Sequence, residues 1–184
     1  MNIINQQDSA NNYSRLFHVS EQPDIAIFEP RPSPSYFEGI TGDVVFAISG
    51  RLLHNYLLPR DCPRVTYYAT DQTTVADKER FVGNTAASHV IIVESRWYKR
   101  ITETRLYCYE FSQDNFTLID ECAGYFISYE SSIPIAVHPV DNIISELLNR
   151  NIELRFAPTL IGLADVVSKS SLNFSLIRMR NARV

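Results

Sequence analysis

The chain has 184 residues, of which 45% are hydrophobic and 21% are charged, and its formal net charge is −4. This length suits one globular domain that buries its own core, so stability requires neither a structural metal nor disulfides. The acidic balance excludes a general nucleic-acid binder, because such proteins need a surplus of Lys and Arg to neutralise phosphates.

Residues 1–13 are rich in Asn and Gln and predict a disordered tail, which leaves residues 14–184 as a single domain. The tail has neither the apolar core of a signal peptide nor the arginines of a transit peptide. No apolar run approaches the roughly 20 residues of a membrane span. Three cysteines without a C-x-x-C pair favour buried, reduced thiols, namely Cys62, Cys108 and Cys122. We therefore expect a cytoplasmic protein without a membrane partner.

Alternating or continuous apolar residues predict most of the first 140 residues to be strands separated by loops. The predicted strands cover 15–20, 44–48, 65–69, 90–93, 106–111, 116–119, 125–128 and 133–137. A polar turn at 112–115 predicts that the strands on either side of it form a β-hairpin. Short helices are expected at 51–58, at 74–81 before Gly83, and from Ser95.

Helical spacing is clear only near the C-terminus. Ile143, Ile144, Leu147 and Leu148 form one stripe with Asp141 as the expected N-cap. Leu160, Leu163, Ala164 and Val167 form a second stripe with Pro158 expected in its first turn. Residues 152–156 and 172–176 alternate as strands. Many strands with few short helices predict an α+β fold with a mostly antiparallel or mixed sheet.

His18 is the first candidate for a functional residue. It lies on the predicted strand 15–20, where Ser20 projects from the same side two residues later. An imidazole and a hydroxyl in that arrangement can hydrogen-bond a ribose or a phosphate. The alternative is a core histidine satisfied by a backbone carbonyl.

Two proline-bounded loops carry the next candidates, Arg31 and Arg60. Proline lowers the entropy lost when a loop is ordered, and arginine suits bidentate recognition of phosphate or carboxylate. The alternative for Arg60 is a structural salt bridge with Asp61. Tyr68, on the strand that follows the Arg60 loop, is a further candidate for ligand binding.

Acidic residues flank the aromatic strands and supply candidate catalytic carboxylates, although surface charge is their usual explanation. They are Glu110, Asp120, Glu121 and Glu130. Nucleophilic catalysis has little support beyond Cys62, which precedes a proline in a loop where its thiol would be exposed. The histidines lack helical metal-site spacing, and the six glycines match neither a dinucleotide-binding fingerprint nor a P-loop.

Four segments carry a close resemblance to a family of bacterial proteins known as a domain of unknown function. They read LFHVSEQP (16–23), FEPRPS (28–33), YLLPRDCPRV (56–65) and IRMRNA (177–182). This resemblance implies one family domain over nearly the whole chain from Leu16, without an established activity.

A second resemblance is to the ADP-ribosyltransferase-like superfamily, whose opening strand reads aromatic-His-x-Ser/Thr, as Phe17 to Ser20 does here. It implies NAD as cofactor or substrate, with His18 and Ser20 holding the ribose. The strand around Phe46 would be the second motif, although the superfamily usually has tyrosine there. Glu121 and Glu130 compete for the role of catalytic Glu. The other functions that we consider are a non-catalytic module for a small anionic ligand and a hydrolase.

Overall fold

The computed structural model of the protein describes residues 15–33 and 39–183, so the predicted tail lies outside the described residues. The chain forms two compact units that interleave in sequence. Unit 1 takes in the chain up to Tyr56 and again Arg105–Val140, and unit 2 takes in Leu57–Thr104 and the chain from Asp141 onward. Each unit has one sheet, and the predicted α+β class is confirmed.

The described residues contain ten strands. They are β1 (Leu16–Ser20), β2 (Val45–Ser49), β3 (Arg64–Tyr68), β4 (His89–Glu94), β5 (Leu106–Phe111), β6 (Thr117–Asp120), β7 (Tyr125–Ser128), β8 (Ala136–Val140), β9 (Ile152–Ala157) and β10 (Asn173–Ile177). The α-helices are short, namely α1 (Val75–Asp77), α2 (Tyr98–Glu103), α3 (Ile143–Asn149) and α4 (Ile161–Val167). None of the described helices combines the length and apolarity needed to cross a membrane.

Unit 1 is built on a six-stranded sheet in the order β6-β7-β2-β1-β5-β8, in which every pairing is antiparallel. Strand β1 is central, and Leu16 and Phe17 are fully buried on its two faces. We call these the His18 face and the Phe17 face. Residues alternate between the two faces along each strand. The His18 face carries an apolar core of Leu16, Ala47, Tyr109 and Phe111.

The predicted hairpin between residues 106–111 and 116–119 is wrong. Strand β5 pairs with β1 and β8, so both of its edges are occupied, and β6 pairs with β7 instead. The turn between β6 and β7 closes at Gly124, whose φ of 68° suits glycine. A Cβ at this position would also collide with the Ser49 hydroxyl.

Unit 2 has a four-stranded sheet in the order β10-β3-β4-β9, with β4 and β9 parallel and the other pairs antiparallel. Its core includes Val65, Tyr67, Val90 and Ile92, against which α4 packs through Val167. The Tyr67 hydroxyl donates to the Phe81 carbonyl at 2.8 Å.

The other predicted elements are found with shifted limits. Residues 50–56 form a 3-10 helix, and α1 continues as a π-helix (Lys78–Val82) that ends before Gly83. The strand predicted over 133–137 corresponds to β8, which begins only at Ala136. The starts of two helices were predicted wrongly. Asn142, not Asp141, caps α3 by accepting from the Ser145 amide, and α4 begins three residues after Pro158.

The stripe on α3 generates a stability prediction. Leu147 is fully buried, whereas the neighbouring Leu148 is 59% exposed. Leu147→Ala should lower the free energy of unfolding by about 2–5 kcal/mol, because it removes buried methyl groups and leaves a cavity. Leu148→Ala is the matched control and should cost less than about 1 kcal/mol. Denaturant unfolding of both variants measures this, and equal losses would contradict the assignment of the buried face.

Candidate functional site

His18 lies on β1, the central strand of unit 1, and is part-exposed. Its Nδ1 is 2.9 Å from the Phe46 carbonyl oxygen. Because a carbonyl can only accept, Nδ1 carries the proton, and the lone pair of the neutral ring is on Nε2. The ring also packs against Phe28, with centroids 4.9 Å apart. The imidazole is therefore held in one tautomer and one orientation.

The local pairing explains why the imidazole can reach this carbonyl. The ladder between β1 and β2 is recorded at Leu16↔Ser49 and Phe17↔Ile48. Beyond those pairs, the side chain of His18 bonds to the main chain of β2. The alternative role for His18 was that of a core histidine satisfied by a backbone carbonyl. His18 does bond to a backbone carbonyl, and it is also partly exposed.

The Phe46 ring does not lie beside His18. Ala47 belongs to the core of the His18 face, so alternation sends the Phe46 ring to the other face. There it meets the Tyr125 ring at 6.4 Å. The aromatic ring of the strand that resembles the second motif therefore lies on the opposite face of the sheet from His18, and the ring that packs against His18 is that of Phe28.

Phe28 was missed by the sequence analysis, and Tyr109 explains its position. The Tyr109 hydroxyl donates to the Gln22 carbonyl at 2.8 Å and accepts from the Ile25 amide at 3.0 Å. These bonds hold the segment after β1 against the sheet. The Phe28 ring then packs on Tyr109 and Phe111, with centroids 5.1 Å away in each case. A lone aromatic in a polar loop, FEPRP, was the available signal.

Ser20 is the last residue of β1, and its Oγ accepts from the Gln22 amide at 3.0 Å. Because β1 and β2 are antiparallel, the end of β1 lies at the same end of the sheet as the start of β2, where Val45 pairs with Ser128 of β7. We call this end of the sheet, defined by Ser20, Val45 and Ser128, the Ser20 end. Arg31 lies there as well, because its backbone forms a β-bridge with Val44.

The register separates the two competing glutamates. Glu130 follows β7 by two residues at the Ser20 end, where Ser128 Oγ bonds to its amide and carbonyl groups. Glu121 lies in the turn before β7, at the opposite end of the strand, and Arg51 donates to its carbonyl oxygen. Both side chains are exposed. Of the two glutamates, Glu130 is therefore the one at the same end of the sheet as Ser20.

The loop that carries Glu130 is joined to the segment that carries Phe28. Phe28 and Ser132 exchange two backbone hydrogen bonds of 2.9 Å. One residue away from each, the Ser131 hydroxyl donates to the Glu29 carboxylate. These bonds give the Glu130 loop a fixed connection to the ring that packs on His18.

The remaining predicted site residues do not join this group within unit 1. Arg60 and Tyr68 belong to unit 2, where Arg60 precedes the start of β3 and Tyr68 is the last residue of that strand. Tyr68 packs against the His89 ring at 4.5 Å, and its hydroxyl accepts from the Asn173 amide group at 3.0 Å. Arg60 is exposed. The ligand-binding roles of both remain predictions.

Glu110 is fixed on the Phe17 face by two partners. Arg15 donates to both of its carboxylate oxygens at 2.7 and 2.6 Å, and His138 Nε2 is 2.8 Å away. The hydrogen bond from Arg15, followed by that from His138, lowers the pKa of Glu110 against the opposing effect of burial. This carboxylate therefore stabilises the sheet rather than facing the Ser20 end.

This ion cluster predicts a pH dependence of stability. Because its pKa is lowered on folding, Glu110 contributes stability that is complete above its unfolded pKa of 4.5 and is lost as the pH falls through the lower folded value. Glu110→Gln should cost about 1–3 kcal/mol at neutral pH and flatten the loss of stability below pH 4.5. Glu121→Gln is the exposed control. Unfolding curves across pH that are the same for Glu110→Gln and the native chain would contradict this role.

The cysteines divide into two kinds. Cys62 and Cys108 are buried and Cys122 is exposed, so the prediction of three buried thiols is wrong for Cys122. Burial raises the pKa of the Cys62 thiol to about 12, which leaves it protonated at neutral pH. The suggestion that Cys62 is an exposed nucleophile is therefore also wrong. The described residues contain no group of three His, Cys, Asp or Glu that could hold a metal ion.

Thiol accessibility gives a direct check on this division. A chromogenic disulfide reagent at pH 8 should modify Cys122 quickly in the native protein, while Cys62 and Cys108 should react only after unfolding. The variant Cys122→Ser should lose the fast phase completely. A fast phase that persists in Cys122→Ser would show that a second thiol reaches solvent.

The fold and the site define an α+β protein with polar side chains gathered at one end of an antiparallel sheet. A family model described as "Family of unknown function (DUF6886)" matches residues 17–182. The match covers most of the chain, so the protein belongs to this family. Comparison with curated proteins and with solved structures gave no match.

Proposed function

We propose that unit 1 binds a ribose-containing nucleotide, with NAD as the candidate, at the Ser20 end and acts on it as an ADP-ribosyltransferase-like enzyme. The observation that carries the proposal is the gathering of an oriented imidazole, a hydroxyl and a carboxylate at one end of the sheet. Adjacent strands are about 4.8 Å apart, so β1 and β7, which pair with opposite edges of β2, are about 10 Å apart where both are paired with it. A nucleoside bound across this end of the sheet would extend from β1 towards the loop that carries Glu130. The resemblance of the β1 sequence to the superfamily's first motif supports the same reading.

His18 and Ser20 would bind the ribose. Because Nδ1 is bonded to the Phe46 carbonyl, Nε2 is the ring atom that would accept from a ribose hydroxyl. Ser20 Oγ accepts from Gln22, and its own proton can be donated to a ligand. One acceptor and one donor on the same strand match the hydroxyl groups of a sugar. Phe28 would keep the imidazole in position.

Glu130 would supply the electrostatic part of the reaction. NAD has a glycosidic bond between nicotinamide and ribose. When that bond breaks, neutral nicotinamide leaves with the electron pair and positive charge develops on the ribose, which a nucleophile (water, or the hydroxyl, amine or other group of an acceptor) then attacks to form the new bond. A carboxylate near the ribose stabilises such charge, as in other glycosyl transfers. Arg31, beside the start of β2, would contact the phosphates through its guanidinium fork.

The second candidate function is a non-catalytic module for a small anionic ligand. It is supported by exposed arginines on proline-bounded loops, of which Arg31 belongs to unit 1. Binding of ADP-ribose without release of nicotinamide from NAD would favour this module. For either function we infer a cytoplasmic protein, because a reducing compartment keeps Cys62 and Cys108 as thiols. The resemblance of its four sequence motifs to a family of bacterial proteins supports a bacterial origin.

Catalysis is tested with two matched glutamate variants on either side of β7. Glu130→Gln should reduce nicotinamide release from NAD by about 100-fold or more, since the amide cannot stabilise developing positive charge. Glu121→Gln removes the same charge at the other end of the strand and should leave the rate within about twofold of the native chain. If both variants keep the native rate, or if only Glu121→Gln loses it, the assignment of Glu130 is wrong.

Binding is tested separately by thermal unfolding with ADP-ribose. A ligand that binds only the folded state stabilises it by about 2.7 kcal/mol at a hundredfold excess over Kd. The native chain should show this shift, and His18→Ala should reduce it. A native chain whose melting temperature is unchanged by millimolar NAD and ADP-ribose would overturn the proposal.

A further inference from the structure

One end of the sheet in unit 2 gathers three segments that are far apart in sequence. The register places Ile177 opposite Arg64, and Arg64 opposite Val93. The end of β10, the start of β3 and the end of β4 therefore lie side by side. The loop 59–63, the segment 94–97 and the segment 178–183 all leave the sheet at this end.

Hydrogen bonds tie these segments together. Asn181 Nδ2 donates to the Asp61 carbonyl at 2.8 Å, which joins the Arg60 loop to the C-terminal segment. Arg96 donates to the Asn181 carbonyl at 2.6 Å and to the Glu94 carboxylate at 2.7 Å. The Arg183 amide donates to the other oxygen of Glu94 at 2.6 Å. The C-terminal segment is thus held at two residues, Asn181 and Arg183.

The charge at this end is strongly positive. We call this end of the sheet the arginine end, because its segments carry the arginines Arg60, Arg64, Arg96, Arg178, Arg180 and Arg183. The acidic residues of the same segments are Asp61 and Glu94. Glu94 is fully buried and already accepts from Arg96 and from the Arg183 amide. In a chain whose net charge is −4, this concentration of arginine attracts an anion.

The arginines divide into two roles. Arg64 is buried and donates to the Cys62 carbonyl at 2.9 Å, so it stabilises the loop. Arg60 and Arg180 are exposed, and they lie on the two segments that the bond between Asn181 and Asp61 joins. Pro59 and Pro63 restrict the backbone on either side of Arg60. Arg178 has a left-handed backbone with φ of 55°, which turns the chain sharply after β10.

We propose that the arginine end binds the phosphate group of a small phosphorylated ligand through Arg60 and Arg180. A guanidinium fork donates two parallel hydrogen bonds to phosphate, and two arginines on joined segments can grip one group from two sides. This site is in unit 2 and does not depend on the function proposed for unit 1. It also gives a role to the motif YLLPRDCPRV and to the C-terminal motif IRMRNA.

The test is calorimetric titration with pyrophosphate at constant ionic strength. Arg60→Gln/Arg180→Gln should raise the Kd at least about tenfold, because the phosphate loses both forks. Lys78→Gln/Arg80→Gln is the matched control, since it removes two exposed positive charges from the helix that follows the other end of β3. That control should change the Kd by less than about twofold. Arg60→Lys/Arg180→Lys, which keeps the charges, should still weaken binding because ammonium groups lack the fork.

Three results would overturn the proposal. The first is a native chain that does not bind millimolar pyrophosphate, and the second is an equal loss in the two glutamine double variants, which would indicate general charge attraction. The third is loss of pyrophosphate binding in His18→Ala, which would place the anion in the site proposed for unit 1. Unchanged melting temperatures of the variants exclude unfolding as the cause of weaker binding.

Discussion

The register of β1 is the constraint on which the structure of unit 1 depends. This strand is paired on both edges, and Leu16 and Phe17 are fully buried on opposite faces. A slip of one residue would exchange the two faces and bury His18 among the partners of Phe17. The cost of exposing a buried side chain is about 1.5–3 kcal/mol for each residue, so the observed register is strongly preferred. The burial of Leu16 and Phe17 therefore fixes the position of the His18 imidazole.

The same register decides how the rest of the candidate site is arranged. With β1 fixed, Tyr109 of β5 faces the segment after β1 and holds it with two hydrogen bonds, so that Phe28 reaches the His18 ring. Phe28 in turn bridges to Ser132, two residues after Glu130. A chain of backbone and ring contacts thus connects the imidazole to the loop of the glutamate. Glu121 has no place in this chain of contacts among the described residues.

Local signals in the sequence predicted the strands, because alternation reflects burial on one face and needs no knowledge of partners. Strand partners were harder to predict, and the hairpin between β5 and β6 failed because β1, far away in sequence, occupies the edge of β5 that the hairpin required.

His18 and Ser20 could be selected from residue type and spacing alone. Phe28 could not, since its role depends on Tyr109, and the choice between Glu121 and Glu130 required the pairing of β2 with β7. The prediction that Cys122 is buried was wrong for a similar reason. Cys122 lies in the turn between β6 and β7, and the exposure of that turn depends on where the two strands lie in the sheet.

The most direct test of the nucleotide site is chemical-shift mapping with ADP-ribose on isotope-labelled protein. The account predicts saturable shifts at His18, Ser20 and Phe28, together with the backbone of Glu130, because these residues surround the Ser20 end. The imidazole Nε2 should shift more than Nδ1, since Nδ1 is bonded to the Phe46 carbonyl. Shifts confined to the turn around Glu121, or none at millimolar ADP-ribose, would contradict the account.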